Sequence, residues 1–239
     1  MKIIITNDDG IQGEGLHVLA NWVKRLGDVT IFAPKFEQSG KSHGIELHKP
    51  FEVKRVTFEN DISAYTVDST PADCVRYALL GAQAPCDLLI SGINRGMNLG
   101  RDILYSGTVG AAFEAVTLGV KALAISTDFY GFDAAKANLD KICDYFLEHR
   151  LYEHADLYNV NVPNVVTGDI RITHQGGPFF ADTFDHLEND MVQAVGRCVY
   201  EDRNDLTYDT DAVMHGHISI MPLTTDRTDW AVYRKLTEK

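Results

Sequence analysis

Short apolar runs alternate with amphipathic stretches through the first two thirds of the chain. That alternation limits the fold more than any other feature. "KIIIT" (2–6), "VTIFAP" (29–34), "DLLIS" (87–91) and "ALAIS" (122–126) are unbroken, and "LYNVNV" (157–162) closes the series. A strand that is apolar on both faces has to be covered on both faces, which is the condition of a parallel sheet between helical layers. The segments between them read as those helices. In 15–27, Leu16, Leu19, Ala20, Val23 and Leu26 share one face and Gly27 offers a stop. Segment 69–82 opens with Ser69 or Thr70 as cap, Pro71 in the first turn and Asp73 near the positive end. Segment 107–119 is rich in small residues and closed by Gly119, and 133–150 gathers Leu139, Ile142, Cys143, Phe146 and Leu147. The expectation is an α/β protein with a Rossmann-like three-layer core and a mostly parallel sheet.

Two regions break the pattern. "IELHKPFEVKRV" and "ISAYTV" alternate, so 45–68 reads as a β-hairpin excursion. From about residue 165, "DIRITHQ", "VQAVGRCVYE" and "HISIMPL" suggest antiparallel strands with long polar connections. The expected division is a catalytic core over 1–165 and a C-terminal segment over 166–239, packed on the core or reaching a neighbouring subunit as an arm. No Pro/Gly/Ser-rich linker separates them.

The net charge of -12 disfavours general nucleic-acid binding, because an acidic surface repels a phosphate backbone. It leaves room for a small phosphate ester at one site whose field is locally reversed, as a divalent metal would do. Four cysteines, Cys74, Cys86, Cys143 and Cys198, form no CxxC and no zinc-ligand spacing; they read as reduced thiols, with Cys74 and Cys143 on apolar helix faces. The N-terminal apolar run is too short for a signal peptide, and no window approaches the roughly 20 apolar residues of a membrane helix. The cytoplasm is the expected location.

Three stretches carry chemistry. "TNDDG" (6–10) puts Asp8 and Asp9 at the tip of the first strand. Asn, Asp and Gly favour turns for local reasons. But ligands sit beyond the carboxyl ends of parallel strands, and adjacent carboxylates are costly without a cation; hard oxygens suit Mg²⁺ or Mn²⁺. "SGKSHG" (39–44) follows the second strand and is no P-loop, because Lys35 stands where the first glycine is required. Ser39 there offers an oxygen ligand, and Lys41, Ser42 and His43 offer phosphate contacts or proton transfer. "SGINRGMNLGRDILYSGTVGAA" (91–112) reads as a long Gly- and Asn-rich loop running into a helix. Gly92, Gly96 and Gly100 allow close backbone approach, Asn94 and Asn98 supply neutral donors and acceptors, and free N–H groups with the Ser106 and Thr108 hydroxyls make an anion site. A GxGxxG fingerprint is absent. The nucleophile is then a metal-activated water, or Asp8 is the base that takes the water's proton.

These stretches, with "TPADCV" (70–75), "NVNVP" (159–163) and "TDAVMHGHISIMPL" (210–223), occur in the order found in the SurE family, the stationary-phase survival proteins. The chain resembles that family from its N-terminus to about residue 223. Departures include "IQGEG" (11–15) after the acids, Gly44 and Glu46 in the second stretch, and Asp68 and Ser69 before "TPADC". The resemblance implies hydrolysis of nucleoside 5′- and 3′-monophosphates, with some members also trimming polyphosphate ends. It implies one Mg²⁺ or Mn²⁺ per subunit held by Asp8, Asp9, Ser39 and Asn94. It further implies phosphate contacts at Asn94, Ser106, Gly107 and Thr108, and homodimers or tetramers with exchanged C-terminal arms. Asp8, Asp9, Asn94 and Ser106 are the expected catalytic set, with Ser39 and His43 as further phosphate contacts.

Two other readings stand beside this one. The acids could hold a metal–sugar-nucleotide complex for glycosyl transfer, or the edge could be a non-enzymatic nucleotide or polyphosphate sensor. A haloacid-dehalogenase-type phosphatase is disfavoured, because adjacent acids leave no spacer between nucleophile and acid. The nucleobase, the 5′ or 3′ preference and the physiological metal are not readable from the residues.

Overall fold

The computed structural model describes residues 1–237. In chain order its first elements are β1 (Lys2–Thr6), α1 (Glu14–Val23), β2 (Asp28–Pro34), β3 (Val53–Val56), β4 (Ser63–Val67), α2 (Pro71–Arg76) and β5 (Leu88–Arg95). Next come α3 (Gly107–Thr117), β6 (Lys121–Thr127), α4 (Asp133–Glu148) and β7 (Leu157–Val162). The last are β8 (Ile170–Ile172), β9 (Phe180–His186), β10 (Val192–Cys198), α5 (Asp209–Met214), β11 (Ile218–Leu223) and α6 (Trp230–Thr237).

One sheet runs β3-β4-β2-β1-β5-β6-β7-β11-β8. The strands from β4 to β7 are mutually parallel. Side-chain alternation along β1 explains its unbroken apolar run. Ile3 and Ile5 pack with Leu16 and Leu19 of α1 and Leu139, Ile142 and Phe146 of α4. Ile4 faces the other way, into Cys74 and Val75 of α2 and Val109 and Ala112 of α3. The fold is therefore the expected α/β three-layer core. From β1 the chain goes to β2 on one side and later returns with β5 on the other. Strand order reverses between β1 and β5, the crevice where ligands of such sheets bind.

Several details differ from the sequence expectation. Within 45–68, only β3 and β4 are strands. They form the hairpin, but β4 lies parallel to β2 inside the main sheet. It does so because Ala64 and Val67 are fully buried, on opposite faces of the sheet. The helix expected over 69–82 is α-helical only to Arg76 and continues as a wider π-type turn over Tyr77–Gly81. The long loop after residue 91 is largely ordered: β5 runs on to Arg95, and Gly100–Tyr105 is a 3-10 turn. Of the later strands, β11 is antiparallel to β7, as expected, whereas β8 runs parallel to β11. β9 pairs with β10 as a separate antiparallel hairpin; β9, α5 and α6 were not legible in the pattern. The four cysteines are free; Cys74 is buried and Cys143 half-buried. Among the described residues no helix is long and apolar enough to cross a membrane.

Helix α1 is set against the site strand by a glycine. A side-chain carbon on Gly15 would strike the backbone carbonyl of Ile93 in β5 and lie 2.7 Å from the Phe132 ring. Gly15→Ala should therefore lower stability by about 1–3 kcal/mol despite alanine's better helix propensity. Urea unfolding checks this; an unchanged or raised midpoint would show that α1 shifts freely.

Candidate active site

β1 ends in a tight turn at the switch point. Gly10 takes a left-handed conformation (φ +89°). Its carbonyl accepts from Asn7 Nδ2 and from the Gly13 N–H, both at 2.9 Å. The Gln38 N–H donates to the Asp8 carbonyl at 2.7 Å, which ties the loop after β2 to the same turn. Asp8 is left pointing inward, buried to 4% exposure.

Asp8 meets the start of α3. Thr108 Oγ1 donates to Asp8 Oδ1. A side-chain carbon on Gly107 would lie 3.0 Å from Asp8 Cβ and 3.1 Å from its Oδ2. The first turn of α3 thus lies directly over the acid, and a side chain at 107 would press on it. Burial pushes the Asp8 carboxyl up to about 6, against the lowering effect of the Thr108 hydroxyl; the neighbouring Asp9 charge pushes it further up. Asp9 is also raised by burial, opposed by the Arg95 N–H, which donates to Asp9 Oδ2 at 3.4 Å; the Glu37 charge adds to the rise.

The other expected residues fall around this corner. Asn94 lies at the end of β5, where the pairing register with β6 slips between Gly92 and Asn94. Its Nδ2 donates to the Gly96 carbonyl at 2.7 Å, which fixes which way the amide lies. Ser106 caps α3, its hydroxyl accepting from the Val109 N–H at 3.1 Å. Ser39 is exposed and donates to Glu37 Oε1 at 2.8 Å, beside the charge that acts on Asp9. Lys41 is exposed, and Ser42 Oγ donates to the Leu104 carbonyl at 2.6 Å. His43 is tied to Glu114 of α3 by a 2.6 Å contact from its Nε2. The same glutamate accepts from Arg76 at 2.9 Å. Gly110 makes this docking possible, because a side chain there would collide with the Ser42 carbonyl.

The corner suits a hard divalent cation. Asp8 and Asp9 are adjacent, buried or half-buried carboxylates, and among the described residues neither forms an ion pair. The nearby Arg95 guanidinium is engaged with Glu14 at 2.7 Å. Among the described residues the buried Asn7 Oδ1 has no hydrogen-bond partner. No group of three Asp, Glu, His or Cys residues converges among the described residues. A cation here would complete its oxygen set with neutral groups such as those of Ser39 and Asn94.

Sequence reasoning missed three participants. Glu114 is a lone acid in a small-residue helix, "GAAFEAV", and that isolation was its signal. Glu37 and Asn7 flank the site but carry no spacing that would mark them.

The description "Survival protein SurE" matches this chain over residues 3–181. A protein called 5′-nucleotidase SurE from Caldanaerobacter subterraneus subsp. tengcongensis is 39% identical over 247 residues, covering 99% of this chain and 96% of that protein. One of the same name from Geotalea uraniireducens is 40% identical, covering 96% and 95%. The crystal structure of SurE from Aquifex aeolicus superposes with a TM-score of 0.78 at 28% identity, over 100% of this chain and 99% of that one.

The Glu114 cluster gives a pH-dependent outcome. The His43 contact, and after it Arg76, holds the Glu114 carboxyl below its usual range of 4.5 although burial opposes them. Such a group adds stability above its unfolded value and loses it as pH falls through the lower folded value. Glu114→Gln should cost about 2 kcal/mol at pH 7. The deficit should shrink towards zero below about pH 4. Urea titrations across that window check it; a deficit independent of pH would deny the ionised contact.

Proposed function

The chain belongs to the SurE family and is a hydrolase of the 5′-nucleotidase type; we propose that it works as a metal-dependent phosphomonoesterase on nucleoside 5′- and 3′-monophosphates, with polyphosphate ends as a further substrate. The observation that carries this reading is the seating of Asp8 under the first turn of α3, beside Asp9 and the Asn94 turn. Acid pair and phosphate cradle share one corner, as a phosphoryl-transfer site requires.

Asp8, Asp9, Ser39 and Asn94 would hold one Mg²⁺ or Mn²⁺ per subunit. When bound, that cation supplies polarisation of the phosphoryl group and a lowered pKa for water. The chain's own groups do the rest. The N–H groups that open α3 at Gly107 and Thr108 receive phosphate oxygens with the favourable end of the helix dipole. Ser106 fixes that turn by capping it. The Asn94 amide, locked by Gly96, contacts a further oxygen. Asp8, buried against Thr108, would either help hold that cation or, left free of it, take a proton from the attacking water. The loop carrying Ser39 and His43 borders the phosphate. Beside it opens a cleft of about 640 Å³ lined by residues including Gln38, Lys41, Ile45, Phe51 and Thr70, with room for a nucleoside.

We further propose a homodimer or tetramer built through the C-terminal segment, and a cytoplasmic setting in which the free thiols stay reduced. Phe184, Met191 and Val192 on the β9–β10 hairpin are exposed, as are Trp230, Tyr233 and Leu236 on α6. Light scattering should give two or four times the chain mass; a monomer at micromolar concentration would remove the arm's proposed role.

Phosphate release from a panel of 5′- and 3′-nucleotides, with Mn²⁺ or with chelator, tests the activity. Release from AMP without a sugar acceptor rules out glycosyl transfer, and binding without turnover would favour a sensor. Asp8→Asn and Asn94→Ala should lower turnover by about a hundredfold or more, while the chelated Asp8→Asn protein stays at least as stable as wild type. Full activity in chelator would refute the metal scheme.

A further inference from the structure

The segment from Asn94 to Ser106 joins the two halves of the proposed site, and it is gripped from outside. Its middle is braced by β6 and β7. The Asn98 N–H donates to Asn161 Oδ1 and its Nδ2 to Ser126 Oγ, each at 2.8 Å. The Asn98 carbonyl accepts from Asn159 at 2.8 Å and from Asn161 at 2.9 Å. The next turn is held by the C-terminal segment. Asp209, at the start of α5, is fully buried. Its Oδ2 accepts from the Gly100 N–H at 2.8 Å. Its Oδ1 accepts from the Gly176 N–H at 2.7 Å and the Thr210 N–H at 2.8 Å. Gln175 Nε2 donates to the Gly100 carbonyl at 2.9 Å, and the Arg101 N–H to the Gly177 carbonyl at 3.2 Å. Gly100 itself is left-handed (φ +53°), and a side chain there would collide with Gly177. A second tie runs from Asp102 Oδ2 to the Phe180 N–H at 2.8 Å.

A helix start needs only an exposed polar cap. A carboxylate sealed from water is costly, and here it accepts from two other chain segments, at Gly100 and Gly176, besides the next residue of its own helix. That is the arrangement of a cross-link. We propose that Asp209 is a positioning residue: through Gly100 it sets the path of the chain from Asn94 to Ser106–Thr108, so that the C-terminal segment keeps the phosphate-binding turn in register with Asp8. This role rests on the proposed phosphatase site.

The test compares Asp209→Asn with Leu139→Ala, a core substitution in α4 that destabilises without touching the loop. Both are read at a temperature where circular dichroism shows them folded. Asp209→Asn should speed amide exchange across residues 98–108 by about tenfold. It should lower kcat on AMP and weaken inhibition by inorganic phosphate, each by about tenfold. Leu139→Ala should leave all three within about twofold. If Asp209→Asn does not fold, Gln175→Ala, which removes only the amide on the Gly100 carbonyl, is read in the same way with effects of about threefold. A variant that matches the Leu139→Ala pattern overturns the proposal. A wild-type protein inactive on every nucleotide would sink the phosphatase reading instead, and the exchange comparison would still decide whether Asp209 holds the loop.

Discussion

Everything at the site depends on one costly contact, the burial of the Asp8 carboxylate against the first turn of α3. In water that group would ionise near 3.8; in place it is pushed up to about 6 by the loss of solvent. A fold tolerates such a cost only where the surroundings are rigid enough to prevent the side chain from swinging out. The turn after β1 supplies that rigidity through Asn7, Gly10 and Gln38. Gly107 supplies the close approach.

The sheet explains why these parts come together. β1 and β5 are neighbours, paired from Ile3–Leu88 to Thr6–Ser91. Their carboxyl ends therefore deliver the two acids and Asn94 to one edge without any long-range loop. The β2 loop reaches the same edge because α3 accepts it at Gly110 and Glu114. What remains, the turn from Asn98 to Tyr105, buries Leu99 and Ile103 but has no regular strand or α-helix of its own. Its order is borrowed from β6, β7 and α5 through buried asparagines and Asp209.

Legibility in the sequence followed distance along the chain. The apolar runs of β1, β2, β5, β6 and β7 announced a doubly covered sheet, because burial on both faces leaves a local trace. Asp8 and Asp9 stood out because they are adjacent and end such a run. The tie of His43 to Glu114 spans 71 residues, and that of Gly100 to Asp209 spans 109; no local pattern encodes either. β4 was read as an excursion because its alternation suits a strand with one wet face, and its covering comes from elsewhere in the fold. The stretch after residue 91 looked structureless because Gly and Asn carry no periodic signal, although tertiary hydrogen bonds order it.

The charge balance then fixes what the corner must do. The chain carries a net charge of -12, and Asp8, Asp9 and Glu37 make the corner itself acidic. A phosphate monoester approaching it meets repulsion, and the α3 start alone offers only about half a positive charge. Part of even that is already directed at Asp8, which takes the Thr108 hydroxyl and lies under Gly107. At the proposed site that remainder alone would hold a dianion poorly beside two carboxylates. On the proposed function, phosphate affinity would rise with whatever neutralises the acids, and by linkage the affinity for that neutralising charge would rise with phosphate. At the proposed site the acids would weaken binding of free anions and leave it strong only with both partners present. On this account the crowding of Asp8 and Asp9 is a source of selectivity as much as of chemistry.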